Sequence, residues 1–216
     1  MDKIKIYVVG SSVNYASWIK DSELVDTQEQ ADIVLFTGGE DVDPSIYGHS
    51  NISSYTNKTR DIKEKAIFEK MKPTQLALGI CRGSQLLCCL NGGKLYQDVK
   101  GHAIGSTHGI TDGKRLLEIT STHHQMQYPF NLPTSSYTIL WQSARRLSGH
   151  YTWGGSESYH EIPPCEPEIV EYHVKDKPVS LAIQGHPEMM RVTSPTIDEL
   201  NKLVRSCLKH IKLRNS

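Results

Sequence analysis

The chain has 216 residues, enough to bury one substantial core, and no Pro/Ser-rich linker divides it, so we expect residues 1–216 to form a single domain. Its 24 basic and 24 acidic side chains cancel, which gives no indication of a nucleic-acid or membrane-surface partner. The N-terminus does not resemble a signal peptide, no apolar run is long enough to span a bilayer, and the five cysteines are odd in number. These features predict a cytoplasmic protein with reduced thiols.

Apolar strand patterns alternate with helix patterns in the first half of the chain. The expected elements are a strand over 4–10, a helix near 15–20, a strand over 32–37, a helix from 61 to about 71, a strand ending near 78 and a helix over 84–90. This alternation predicts an α/β fold with a doubly wound, largely parallel sheet. Such sheets bind their ligands at the carboxyl ends of the strands.

The second half of the chain is less regular. Residues 95–143 read as strands and turns, with the clearest strand patterns over 115–120 and 138–141. A buried-strand pattern over 180–183 follows, and the apolar spacing over 197–204 predicts an amphipathic terminal helix.

Two adjacent glycines, Gly38 and Gly39, directly follow the strand predicted over 32–37. Because glycine has no Cβ, backbone N–H groups here can approach a ligand closely, and with the N–H of Arg82 they could form an oxyanion hole. The alternative is an ordinary turn. Asp41 and Asp43 come next and suggest a metal site, but the following proline favours their capping and shaping the loop.

Cys81 lies in the segment 79–83, Gly-Ile-Cys-Arg-Gly, between a strand pattern and a helix pattern. A nucleophile at so tight a strand-to-helix turn requires glycine two residues before and two after it, and the helix N-terminus favours a thiolate. Cys81 is therefore the candidate nucleophile. The alternative is a buried structural cysteine, for which the flanking glycines would have no role.

His186 is the candidate proton shuttle, because it follows a buried strand at the expected edge of the sheet. Glu188 lies two residues further on, across a turn stiffened by Pro187, and could accept the other imidazole N–H. The alternative for a single histidine is a structural or solvated side chain. No other histidine of the chain combines a strand end, a stiff turn and a nearby carboxylate.

Five ordered blocks of the chain resemble the class I glutamine amidotransferase-like family. Within it they are closest to the gamma-glutamyl hydrolase (peptidase C26) branch, which includes gamma-glutamyl-gamma-aminobutyrate hydrolase. The blocks are the loop 38–48, residues 60–64, the segment 79–98, the Ser-Thr-His-His-Gln segment 121–125 and the Gln-Gly-His-Pro-Glu segment 184–188. The resemblance implies a flavodoxin-like sheet and a reaction without metal or organic cofactor.

The resemblance also implies roles for single residues. Cys81 would be the nucleophile, His186 the general base and acid, and Glu188 its orienter. Main-chain groups of Gly38, Gly39 and Arg82 would surround the oxyanion. The residues implied to line the gamma-glutamyl pocket are Gln85, His123, His124 and Gln125. For these the alternatives stay open: Gln85 could cap its helix, and either histidine could satisfy polar groups of the core.

Three functions remain open at the level of the sequence. The motifs favour a stand-alone hydrolase that cleaves a gamma-glutamyl amide of a small molecule through a gamma-glutamyl thioester. The second possibility is a glutaminase subunit that delivers ammonia to a separate synthetase, and the third is a catalytically idle regulatory or binding relative. The aromatic stretch around Trp153, with Gly154 and Gly155, is expected to flank the mouth of the site and to influence substrate selectivity.

Overall fold

The computed structural model describes residues 3–10, 13–154 and 162–214. Its strands are β1 (Ile4–Val9), β2 (Ser22–Leu24), β3 (Ile33–Phe36), β4 (Leu76–Ile80), β5 (Lys94–Tyr96), β6 (Asp98–Val99), β7 (Ala103–Thr111), β8 (Leu116–Thr122), β9 (Met126–Tyr128), β10 (Tyr137–Ser143), β11 (Tyr151–Thr152), β12 (Pro167–Tyr172) and β13 (Ser180–Ile183). Its α-helices are α1 (Lys58–Glu69), α2 (Arg82–Leu90) and α3 (Pro195–Arg214).

Nine of these strands form one sheet in the order β2-β1-β3-β4-β13-β12-β10-β7-β8. The strands from β2 to β13 are parallel to one another, whereas β12, β10, β7 and β8 continue the sheet in antiparallel pairs. The parallel strands β3, β4 and β13 are buried along their whole length and are apolar except for Ser180, as expected where both faces of a sheet are covered. The fold is a doubly wound α/β sheet, as predicted.

The register of the central strands brings the candidate residues together. Phe36 of β3 pairs with Gly79 of β4, and Ile80 at the end of β4 pairs with Ile183 at the end of β13. The segments that follow these strands therefore leave the sheet side by side at its carboxyl edge. A hydrogen bond from the N–H of Cys81 to the carbonyl oxygen of Ile183 continues the pairing by one residue, at 2.8 Å.

The two faces of the sheet carry separate apolar cores. One face packs against the apolar stripe of α3, and the other packs against α1 and α2. The residues that these helices contribute are Ile197, Leu200, Val204, Cys207 and Ile211 of α3, Phe68 of α1, and Leu86, Leu87 and Cys88 of α2. Helices thus cover both faces, which is the arrangement that a doubly wound sheet requires.

Several predicted boundaries move in the structure. The helix expected near 15–20 is a short 3₁₀ helix, Val13–Ala16, followed by turns. Helix α1 begins three residues earlier than predicted because the Asn57 side chain accepts a hydrogen bond from the N–H of Arg60, at 3.2 Å, and caps it. Helix α3 is longer than its clearest apolar repeat and runs over 20 residues. None of the helices described here has the length and apolarity needed to cross a bilayer.

Candidate active site

Cys81 lies at the sharp turn between β4 and α2. Its backbone has φ 52° and ψ −110°, a conformation that costs free energy for any residue other than glycine. A Cβ atom at Gly79 would lie 2.6 Å from the carbonyl carbon of Gly83, and one at Gly83 would collide with the carbonyl oxygen of Phe36. Both glycines are therefore required by close backbone packing, as predicted.

His186 and Glu188 face Cys81 from the end of β13. The Nδ1 atom of His186 lies 2.6 Å from Oε1 of Glu188, and the imidazole also forms a hydrogen bond with Cys81. The backbone N–H of His186 donates to Oγ1 of Thr120 on β8, at 2.6 Å, which fixes where the histidine leaves the sheet. The structure thus brings the three predicted side chains into one hydrogen-bonded row.

The imidazole of His186 is held in its charged form. Its burial alone would lower its pKa, but the hydrogen bonds and charges of Cys81 and Glu188 outweigh this and raise the pKa to about 10. With Nδ1 bonded to Glu188, the other ring nitrogen is the one available to exchange a proton with Cys81.

Gly39 lies where the loop after β3 passes the cleft, and Arg60 of α1 holds this loop. The backbone of Gly39 has φ +143°, and a Cβ atom there would collide with the Arg60 guanidinium. The guanidinium donates from Nη2 to the carbonyl oxygen of Gly38 at 2.9 Å and to Oγ1 of Thr37 at 3.0 Å, and from Nη1 to Glu40 at 2.8 Å. One side chain therefore fixes the direction of the carbonyl groups, and hence of the peptide N–H groups, at the predicted oxyanion site.

The side chain of Arg82 points away from the cleft into a buried ion-pair network. Arg82 is only 1% exposed, and its guanidinium pairs with both Asp61 and Glu64 of α1. Glu64 also accepts from Nε of Arg60, at 2.8 Å. The network connects the loop after β3, helix α1 and the turn at Cys81. The sequence predicted a role only for the main-chain N–H of Arg82 and did not predict this network, although residues 60–64 belong to one of the matching blocks.

Tyr15 is a further neighbour of His186, and no sequence motif marks it. Its ring centroid is 6.2 Å from that of His186, and its hydroxyl lies near the Gly38 N–H. A Cβ atom at Gly38 would be only 2.7 Å from the hydroxyl oxygen of Tyr15. Burial and the charge of Glu188 raise the pKa of Tyr15, so the phenol stays protonated. The 3₁₀ helix that carries Tyr15 gave no motif by which its role could have been predicted.

Cys81 opens into a cleft of ≈ 230 Å³. The cleft is lined by Gly39, Glu40, Asp41, Tyr55, Cys81, Arg82, Gln85 and residues 122–125. Seven of the ten predicted site residues are in this lining, and Gly38, His186 and Glu188 lie beside it. Two larger cavities, of ≈ 450 and ≈ 600 Å³, lie near the amino ends of β4 and β13, at the opposite edge of the sheet from the site. Neither Cys81 nor His186 lines them.

Gln85 and Gln125 connect the walls of the cleft. The Nε2 group of Gln85 donates to the carbonyl oxygen of Gln125 at 3.0 Å, so its side chain does not cap α2. The Gln125 side chain accepts from the N–H of Val42 at 3.1 Å and donates to Oγ of Ser54 at 2.8 Å. Both glutamines are almost fully buried, and these bonds hold the loop after β3 against the segment 122–125.

His123 and His124 point in different directions. The His123 ring is buried, its Nδ1 donates to the carbonyl oxygen of Gln125 at 2.8 Å, and burial lowers its pKa to about 4, so that it is neutral at pH 7. His124 is partly exposed, and its hydrogen bond with Asp41 at 2.8 Å raises its pKa. The two open interpretations thus each describe one residue, since the His123 ring reaches into the polar interior and the His124 ring is paired with Asp41 at the cleft.

The acidic residues after Gly39 shape the loop, as expected. Oδ2 of Asp41 accepts from the N–H of Tyr55 at 2.9 Å, and Oδ1 of Asp43 accepts from the N–H of Ser45 at 2.8 Å and caps the 3₁₀ helix Pro44–Tyr47. Trp153, expected at the mouth, packs instead against Tyr96 and Tyr128, with ring centroids 5.2 and 4.5 Å away. Gly155 lies outside the described residues.

Residues 8–143 of the chain match the Peptidase C26 family model. The chain belongs to the Peptidase C26 family. The resemblance to class I glutamine amidotransferase-like proteins inferred from the five blocks is thereby confirmed. The family-model match ends at residue 143, before His186 and Glu188. These two residues are therefore linked to Cys81 by their position in the structure and not by the family match.

Curated relatives of this Peptidase C26 protein match over short segments. Protein NtpR of Enterococcus hirae is 37% identical over 75 residues, 33% of this chain and 31% of NtpR. A YvdE homolog of Lactococcus lactis subsp. cremoris, named as glutamine amidotransferase-like, is 44% identical over 75 residues, 32% of this chain and 38% of the relative. The chain thus aligns with about a third of the length of each.

Solved structures match over the whole chain and confirm the fold class. A glutamine amidotransferase from Thermotoga maritima has a TM-score of 0.52 at 14% identity, with 99% of this chain and 98% of that chain covered. A Thermoplasma acidophilum protein that is named as part of a GMP synthase has a TM-score of 0.62 at 18% identity, with both chains fully covered. These likenesses describe the architecture of this Peptidase C26 protein.

Proposed function

We propose that the protein hydrolyses the gamma-glutamyl amide bond of glutamine, or of a gamma-glutamyl amine or peptide, through a thioester on Cys81. The observation that carries the proposal is the hydrogen-bonded row of Cys81, His186 and Glu188 at the edge of a small polar cleft. Membership of the Peptidase C26 family supports hydrolysis of a glutamine-type amide in general. The finer assignment of substrate and mechanism is our inference.

The first step is attack by the Cys81 sulfur on the side-chain carbonyl carbon of the gamma-glutamyl group. Because His186 already holds the proton, the sulfur attacks as a thiolate, and a carbon–sulfur bond forms as the carbonyl oxygen takes up negative charge. Glu188 keeps the second ring nitrogen of His186 protonated and oriented, so that the first can give its proton to the departing amine and then take one from water.

Main-chain N–H groups would stabilise the oxyanion. Arg82 is the first residue of α2, where N–H groups have no partner within the helix, and Gly39 lies across the cleft from it. Each such donor is worth about 3 kcal/mol in the transition state. The tetrahedral adduct then collapses as His186 gives its proton to the departing amine. Water, deprotonated by His186, cleaves the thioester and releases glutamate.

The charges of the cleft fit the free end of a gamma-glutamyl group. His124, whose raised pKa favours its charged form, is suited to the α-carboxylate, and the carboxylates of Glu40 and Asp41 are suited to the α-ammonium group. A cleft of ≈ 230 Å³ accepts a group of this size. Gln85 and Gln125 would act mainly by keeping the two walls together.

Turnover of glutamine and of a series of gamma-glutamyl amines tests the proposal. Wild type should release glutamate from at least one of them, whereas Cys81→Ala should lose turnover and keep its fold, because no covalent intermediate can form. Cys165→Ala is the matched control and should retain activity, since Cys165 lies outside the cleft lining. Turnover by Cys81→Ala within tenfold of wild type would contradict the nucleophile assignment.

A glutaminase subunit that feeds a separate synthetase is the second candidate. Its support is the structural likeness to PurLQS from Thermotoga maritima and to the glutaminase domain of Trypanosoma brucei CTPS, with TM-scores of 0.54 for each. Such a subunit should form a covalent glutamyl adduct with glutamine but turn over very slowly alone. Efficient release of glutamate without a partner favours the stand-alone hydrolase. Absence of both adduct and turnover favours the idle relative.

A further inference from the structure

A buried cluster of His102, His123 and Glu168 lies behind the cleft wall. One nitrogen or oxygen atom from each of the three side chains lies within 4.8 Å of the corresponding atoms of the other two, and the residues are 0%, 2% and 0% exposed. His102 precedes β7, His123 follows β8, and Glu168 belongs to β12. Three separate parts of the chain therefore bring metal-ligating side chains to one point.

The atoms that face one another in this cluster are mainly hydrogen-bond acceptors. His123 uses its Nδ1 proton on the carbonyl oxygen of Gln125, so its Nε2 atom carries a lone pair, and that atom has no hydrogen-bond partner among the described residues. Oε2 of Glu168 and both ring nitrogens of His102 also lack hydrogen-bond partners in the part of the chain that the structure describes. Because buried polar atoms are normally paired, this convergence calls for a positive centre between the side chains.

The surrounding contacts resemble the support that metal ligands usually have. Oε1 of Glu168 accepts from Nε2 of His108 at 2.9 Å and from Oγ of Ser143 at 3.0 Å, which leaves Oε2 free. Nδ1 of His102 lies 3.6 Å from Oε1 of Glu168, and its Nε2 lies 3.4 Å from Oε1 of Glu166. Ligating histidines commonly direct their second nitrogen to a carboxylate or carbonyl group. His123 does so through its bond to Gln125, and Nε2 of His102 faces the Glu166 carboxylate without a hydrogen bond.

The chemistry of the three side chains suits a small borderline cation. Ligand atoms about 2.0–2.2 Å from a tetrahedral Zn²⁺ are separated by about 3.3–3.6 Å, so the three atoms, which lie within 4.8 Å of one another, would draw together on binding. Mg²⁺ and Ca²⁺ prefer sites made of oxygen atoms alone, whereas two imidazoles and one carboxylate suit Zn²⁺ and its first-row neighbours.

We propose that His102, His123 and Glu168 bind one divalent transition-metal ion of the Zn²⁺ type. The ion would fasten the segment 122–125, which lines the cleft, to strands β7 and β12 of the antiparallel half of the sheet. It takes no part in the reaction steps given above. The proposal rests on the buried cluster alone, so it stands or falls independently of the hydrolase assignment.

Metal titration of the chelator-stripped protein tests the proposal. The Cys81→Ala variant is used, so that the cleft thiol cannot bind the probe. Isothermal titration with Zn²⁺ should show one equivalent bound, and Co²⁺ should give the visible absorption of a tetrahedral nitrogen and oxygen site without a thiolate charge-transfer band. If the cluster holds only water, neither Zn²⁺ nor Co²⁺ should bind at one equivalent per chain, and that result would overturn the proposal.

Variants localise the ion. His102→Gln and Glu168→Gln should each weaken Zn²⁺ binding at least about tenfold, because each removes a ligand. The matched control His210→Gln changes an exposed histidine of α3 and should leave binding unchanged. If the two cluster variants bind Zn²⁺ as tightly as the control, the proposal is wrong. Circular dichroism verifies that the variants fold. If both cluster variants unfold, the Co²⁺ spectrum of the Cys81→Ala protein tests the proposal, and absence of the tetrahedral absorption would overturn it.

Discussion

The candidate chemistry depends on how a few residues are held. Cys81 has a strained backbone at the end of β4, and His186 is charged because two partners surround it. Thr120, Arg60 and Tyr15 fix the neighbouring main chain without belonging to the predicted catalytic row. Strain and buried charge of this kind persist in a fold only when surrounding contacts hold them, and they concentrate at functional sites.

Replacing the histidine should cost more activity than replacing its partner. His186→Ala removes the group that moves protons, so kcat should fall by at least about 10²-fold. Glu188→Gln removes only the orienting charge and should cost less. Steady-state kinetics on the best gamma-glutamyl amide give both values, with the exposed Glu23→Gln as control. A loss for Glu188→Gln equal to or greater than that for His186→Ala would contradict the assigned roles.

The charge on His186 makes its titration measurable. Its pKa is raised from 6.5 to about 10 when the protein is folded, so its contribution to stability is full below about pH 6.5 and is lost as the pH rises to about 10. Cys81→Ala should lower this pKa, because it removes both a hydrogen bond and a charge. NMR titration of the imidazole measures the shift. Cys165→Ala should leave it unchanged, and an unchanged pKa in Cys81→Ala would show that the two side chains do not interact.

At the scale of elements, the turn between β4 and α2 and its connection to α1 decide where the site forms. The sequence predicted the strand, the glycines and the helix of this turn correctly, because each is a local pattern. It did not predict that Arg82 turns inward to Asp61 and Glu64, or that His102 and Glu168 meet, because those contacts join residues far apart in the chain. The helix expected near 15–20 is instead a 3₁₀ helix of four residues, Val13–Ala16, which is too short for a sequence pattern to fix its type.

Gly83 should tolerate no side chain. Gly83→Ala pushes a methyl group into the carbonyl oxygen of Phe36, which cannot move because it belongs to the central strand β3. We expect a loss of about 3 kcal/mol or more in the free energy of unfolding. Gly149→Ala is the matched control, since a Cβ atom there has no neighbour within 4 Å. Urea unfolding compares the two, and equal stabilities would show that the turn is less tightly packed than described.

The buried ion-pair network should be costly to break from one side. Arg82→Met leaves the buried carboxylate of Asp61 without a cation and leaves Glu64 with Arg60 alone, for which we expect a loss of about 3–5 kcal/mol. Lys65→Ala breaks the exposed pair with Glu69 on the same helix and should cost no more than about 0.5 kcal/mol. Urea unfolding of Arg82→Met and of Lys65→Ala measures the difference between their free energies of unfolding. A loss below about 1 kcal/mol for Arg82→Met would mean that the network adds little to stability.

For the whole molecule, fold class and family were predictable, because ordered motifs and alternating elements extend along most of the chain. The five cysteines are all free thiols in the described residues, as expected. The single-domain organisation of residues 1–216 and the cytoplasmic location stay predictions. The expected effect of Trp153 on selectivity stays a prediction, and its ring packs among aromatic side chains and is not one of the residues that line the cleft.

The central claim is that Cys81 carries a gamma-glutamyl group during turnover, and acid quenching followed by mass spectrometry tests it most directly. Protein mixed with glutamine or a gamma-glutamyl amine and quenched within the first turnovers should gain the mass of one glutamyl group. Peptide mapping should locate that mass on Cys81, and the Cys81→Ala variant should gain none. Turnover without any adduct, or an adduct on another residue, would contradict the account.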